Sequence, residues 1–306
     1  MVSFKSTILT SIVGLATFVG VGEAVPHRLP TFSKRASTGA LTDTDILQFA
    51  LTLEHLESAF YAQGFKKFSE SDFADLGLSA KQLVALKKLG ETEATHVDVI
   101  SSVLKSAGAN PVQPCEYDFG FTTAADMVAQ AKILEAVGVS AYLGAAPLIK
   151  NKDILAAAAS IVTVEARHQT FIRAAAGDEL PVPQAFDAAL GPKSVFTIAA
   201  QFIKSCPAGS GLAFEAFPSL VIVNAQNIKP GTPLNLASGS SPGGAKFCAF
   251  TAGGVGTVYA ELKDGKCIVP DALAGEVYVQ LTTSGNGKTL DDSSVVAGPA
   301  IISMAP

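Results

Sequence analysis

The 306-residue chain is 48% hydrophobic and 16% charged, which excludes wholesale disorder and allows a sizeable core, in two domains or one large one. Its net charge of −5 and the absence of any Lys/Arg block argue against nucleic acid as a partner, because phosphate binding needs clustered cations.

Residues 1–24 have the form of a signal peptide: Lys5, an apolar run from Ile8 to Val21, then small residues around Gly22-Glu23-Ala24. The run is short for a membrane span, so no span is expected after its removal. Residues 25–35 end in Lys34-Arg35, which looks like the processing site of a pro-segment, and the mature chain is expected to begin near Ala36. The expected location is secreted: extracellular, with attachment to a cell wall as one form of it. In that oxidising setting Cys115, Cys206, Cys248 and Cys267 read as two disulfides. Cys248 and Cys267 lie in neighbouring strand candidates and are the expected pair, which leaves Cys115 with Cys206.

Residues 36–190 read as a four-helix bundle. The first helix starts near Thr42–Asp45 and runs to about Gln63, with Gly64 as its stop. The second starts at Ser79, where Ser79-Ala80-Lys81-Gln82 is a capping box, and ends at Gly108. The third starts at the looser box Thr123-Ala124-Ala125-Asp126 and reaches about Ile149; the fourth follows Asn151 and stops at Gly177. The short link between the last two makes them antiparallel neighbours. Residues 108–121 can run the length of the bundle in extended form, leaving the second and third helices parallel. A linking helix is expected within 191–208. Residues 209–306 read as a small antiparallel β-sandwich with strands at 219–224, 246–251, 256–262, 266–269, 276–283 and 299–304. Lys263-Asp264-Gly265-Lys266 is a hairpin signal. The fold class is therefore α+β and multidomain, with the bundle and the β domain separable. The acidic residues after Cys206, Glu276 among them, read as solvated.

The chemistry lies in the helices. The second carries Glu93-Ala94-Thr95-His96 and the fourth Glu165-Ala166-Arg167-His168, each a Glu-x-x-His that sets both side chains on one face. The third offers Glu135; the first offers Glu54 and Glu57. Two Glu-x-x-His helices plus one Glu from each of the others is the pattern of a two-metal carboxylate site in a bundle core. Each motif lies on its helix's apolar stripe, where carboxylates are costly unless paired or metal-bound. The candidate ligands for two iron or manganese ions are Glu93, His96, Glu135, Glu165 and His168, with Glu54 or Glu57 from the first helix. His55 reads as an ordinary surface or packing histidine.

Over residues 42–178 the sequence resembles the ferritin-like superfamily. Leu47-Gln-Phe-Ala-Leu-Thr-Leu-Glu-His-Leu-Glu-Ser-Ala-Phe-Tyr61 looks more particularly like fungal secreted ferritin-like proteins of stress response or late sexual development. The resemblance implies a non-haem di-metal site, and it favours Glu54 over Glu57 because Tyr61 follows Glu54 by two turns, as in ferritins. Tyr61 then joins Glu57 as an alternate or outer contact. Two functions stay open. One is an oxidative metalloprotein acting with O2 or peroxide, as ferroxidase, peroxide-removing or substrate-oxidising catalyst. The other is a non-enzymatic secreted structural or surface protein whose metal site is structural or empty.

Overall fold

The computed structural model describes residues 41–178, 180–208, 210, 215–224, 228–238 and 243–304; the expected signal peptide and pro-segment lie outside them. Helix α1 spans Asp43–Lys67, α2 Glu70–Ala74, α3 Ala80–Ser106, α4 Ala124–Ala145 and α5 Lys152–Ala175. Thr42, Ser79 and Thr123 cap α1, α3 and α4 through reciprocal boxes with Asp45, Gln82 and Asp126, and Asn151 accepts from Asp153 and Ile154 at the start of α5.

Gly64 does not stop α1, which continues to Lys67. It is a contact point instead: a Cβ there would lie 2.2 Å from Met127 Sδ, so glycine lets α4 approach. The third helix ends at Ala145 and a 3-10 turn, Ala146–Leu148, replaces its expected last turn.

Cross-helix contacts fix the directions. Glu54 meets His96 while Gly90 lies under Tyr61, so α1 and α3 are antiparallel. Glu54 meets Tyr142 and Tyr61 meets Glu135, so α1 and α4 are antiparallel too. The helices α3 and α4 therefore run parallel, and residues 107–123 form the long crossover. That crossover carries β1 (Glu116–Tyr117), which pairs with β2 (Ile203–Ser205) beyond α6 (Pro192–Ala199), and Cys115–Cys206 closes the same junction.

The strands that follow are β3 (Leu220–Ile222), β4 (Pro233–Ser238), β5 (Phe247–Ala252), β6 (Gly256–Glu261), β7 (Lys266–Ile268), β8 (Gly275–Thr282) and β9 (Val295–Met304). They form two antiparallel sheets, in the orders β3-β4-β7 and β6-β5-β8-β9, that share one apolar core. At the expected hairpin, Asp264 and Gly265 both take positive φ (50° and 72°), and this turn carries the chain from one sheet to the other. Cys248–Cys267 joins β5 to β7 and so staples sheet to sheet rather than adjacent strands.

The two halves are not loosely tethered. Tyr278 of β8 is fully buried in the bundle's own core, with its hydroxyl 2.8 Å from Ser140 Oγ and donating to Ala136 O at 3.2 Å. Gln280 donates to Ser194 Oγ. Glu276 is not solvated: it is buried and accepts from Arg173 of α5 at 2.8 Å. Arg173 Nε also lies 3.1 Å from Asp178 Oδ2, so one guanidinium joins β8 to the end of the bundle. Among the described residues, no helix is long and apolar enough to cross a membrane.

Candidate metal centre

Midway along the bundle, α1, α3, α4 and α5 each turn at least one glutamate inward. Glu54, Glu57, Glu93, Glu135, Glu165, His96 and His168 are all buried. His96 Nδ1 lies 3.2 Å from Glu54 Oε2, 3.1 Å from Glu93 Oε2 and 3.2 Å from Glu165 Oε1. His168 Nδ1 lies 2.8 Å from Glu93 Oε1 and 3.3 Å from Glu135 Oε2. Glu93 thus turns one oxygen to each histidine.

The donors fall into two overlapping groups, Glu54–Glu93–His96–Glu165 and Glu93–Glu135–Glu165–His168, each with its ligand atoms within 4.8 Å of one another. Glu93 and Glu165 belong to both. All six sequence candidates are brought together, whereas Glu57 enters neither group. Its carboxyl lies beside Glu165 across Gly138, where a Cβ would sit 3.0 Å from Glu165 Oε2 and 3.1 Å from Glu57 Oε1. Gly138 thus leaves the space these two carboxylates occupy. His55 stays outside, half-buried, with Nε2 3.2 Å from Val112 O.

Many of the close approaches are not hydrogen bonds. Glu93 Oε1, Glu135 Oε2, both Glu165 oxygens and His168 Nδ1 are buried and make no well-aligned hydrogen bond, although all but Glu165 Oε2 face an ion-pair partner at 2.8–3.3 Å. Convergent carboxylate and imidazole atoms of this kind fit cations, since two divalent ions would balance four carboxylates.

Without a cation the charges are poorly matched. Burial, reinforced by neighbouring carboxylates, raises Glu57 and Glu165 well above the usual range, raises Glu135, and pushes Glu54 up to about 7. Burial would raise Glu93 as well, but His168 and His96 outweigh it and hold that carboxyl at about 2. Burial opposes charge on the histidines, yet the facing carboxylates lift His96 to about 12 and His168 to about 10.

Two tyrosines complete the arrangement. Tyr61 donates to Glu135 Oε1, and Tyr142 donates to Glu54 Oε1 at 2.5 Å. Tyr61 therefore serves the glutamate of α4. Tyr142 was not singled out from sequence, though it follows Glu135 at the spacing by which Tyr61 follows Glu54. Because α1 and α4 are antiparallel, the two Glu/Tyr pairs exchange partners, giving the centre an approximate two-fold symmetry.

A family model described as ferritin-like domain matches residues 42–178. Residues 42–178 are a ferritin-like domain. The chain is also similar to Protein rds1 of Schizosaccharomyces pombe (strain 972 / ATCC 24843), 27% identical over 201 residues that cover 65% of this chain and 48% of that protein. The match thus spans about half the length of that relative. Its 201 residues exceed the ferritin-like domain, so the likeness extends beyond the bundle.

Proposed function

We propose that this is a secreted di-metal protein that binds two iron or manganese ions in its ferritin-like domain and uses them oxidatively. The observation that carries this reading is the pair of four-donor groups with Glu93 and Glu165 in common. Glu54 and His96 would hold one ion, Glu135 and His168 the other, and Glu93 and Glu165 would serve both. Carboxylate and imidazole donors suit iron and manganese. Such a pair, when bound, supplies redox chemistry toward O2 or peroxide. The chain's own part is to hold donors and exclude water. Tyr61 and Tyr142 each hold one oxygen of an outer glutamate, which leaves the other oxygen facing its histidine. Two disulfides are in keeping with secretion, and the sequence resemblance points to stressed or developing fungal cells.

The test is consumption of O2 or hydrogen peroxide by protein loaded with Fe2+ or Mn2+, against metal-free protein and the Glu165→Ala variant. Loaded wild-type chain should turn over at least about tenfold faster than either control, the least that loss of even an outer contact typically costs. Protein that holds two ions yet turns over neither oxidant would make the ions structural and favour the non-enzymatic reading.

A further inference from the structure

A cavity of about 190 Å³ lies at one end of the centre, between the first half of α1, the last halves of α3 and α4, and the first half of α5. Its wall includes Ala50, Leu53, Ile100, Tyr142, Ala158 and Ile161. Ala50, Ile100 and Ile161 each lie four residues from Glu54, His96 and Glu165 respectively, about one helical turn or 6 Å of rise. The cavity therefore abuts the Glu54–His96 half of the centre. The opposite half is closed: Tyr61, Leu86, Met127 and Ile172 fill that end, none more than 2% exposed.

We propose that this cavity is the organic-substrate subsite of the centre and takes a small, neutral, apolar molecule, a single aromatic ring or a short alkyl chain. This rests on the two-metal reading above. Size sets one limit, since a closed apolar cavity of about 150 Å³ accommodates benzene. Chemistry sets the other. The sole charged side chain of the wall, Asp153, is exposed. The one hydroxyl that the wall presents, on Tyr142, already donates to Glu54. A charged or strongly polar guest would lose its hydration and find no partner in exchange. Val99 of the wall is 47% exposed. A guest seated there lies against one metal position only, so the two halves of an otherwise symmetric donor set are functionally distinct.

The experiment titrates p-xylene into metal-loaded full-length protein and follows binding by calorimetry or NMR, with metal content measured on the same samples. Saturable one-to-one binding is expected. Ala50→Leu and Ala158→Leu each push a larger side chain into the space and should weaken it at least about tenfold while metal content stays at the wild-type level. Circular dichroism checks each variant, and if one fails to fold the other decides. Absence of saturable binding to protein that carries its two ions overturns the proposal and leaves the metal reading intact, as does undiminished binding in the folded variants. Binding of p-xylene to a chain that takes up no metal keeps the cavity as a ligand site and overturns the metal reading, and with it the substrate role.

Discussion

Replacing Glu165 by Ala should empty the centre, whereas replacing Glu54 by Ala should leave one ion in place. Glu165 contributes to both donor groups and Glu54 to one. Loss of Glu165 also leaves three carboxylates to face two divalent ions, where the intact centre offers four. Affinity at both positions should fall by more than about 100-fold, beyond the effect typical of an outer contact. Metal analysis of wild type, Glu54→Ala and Glu165→Ala checks this. Equal metal loss in the two variants would mean that the donors are not shared.

The second large effect is on pH dependence. Metal-free and metal-loaded protein should have stability profiles of opposite slope between about pH 5.5 and 8.5. In the metal-free chain Glu54 is raised to about 7, His168 to about 10 and His96 to about 12, so the folded state keeps protons that the unfolded chain releases. The histidine contribution is complete below the ordinary histidine value and is lost as pH rises toward 10 and 12. Glu54 and Glu165, raised by burial, keep protons that the unfolded carboxyls have already released, which costs further stability over the same rise. Glu93, held at about 2, has the reverse dependence, but its gain is complete below this window. Stability should therefore fall by up to about 1.4 kcal/mol per pH unit for each retained proton. Metal binding requires those same protons to leave, so apparent affinity, and with it the stability of loaded protein, rises with pH. Urea denaturation at about pH 6 and 8, with and without Mn2+, measures both slopes. Parallel falling profiles would exclude metal binding at these residues.

What the sequence made legible follows from local physics. Helix starts were readable because the caps at Thr42, Ser79, Thr123 and Asn151 are contained within a few residues. Glu-x-x-His was readable because residues three apart share a helix face. The disulfide partners were readable by strand neighbourhood, although the strands proved to lie in different sheets. The strand β4 escaped because Pro233 and Asn235 are poor strand formers, and α2 because its five residues are too few to show a period. Tertiary facts were out of reach. Nothing near Gly64 signals that Met127 will pack on it, and nothing near Arg173 signals Glu276, 103 residues away. The exchange of Tyr61 and Tyr142 between Glu135 and Glu54 needed the antiparallel direction of α1 and α4. The repeated spacing from Glu54 to Tyr61 and from Glu135 to Tyr142 was its visible trace.

The central claim is that one buried donor set binds two ions through Glu93 and Glu165. Anomalous diffraction from crystals of iron- or manganese-loaded protein, recorded at the metal's absorption edge, tests it most directly. The account predicts two peaks inside the bundle, one beside Glu54 and His96 and the other beside Glu135 and His168, with Glu93 and Glu165 contacting both. A single peak, or strong peaks only at the surface while these six buried side chains contact one another alone, would contradict it.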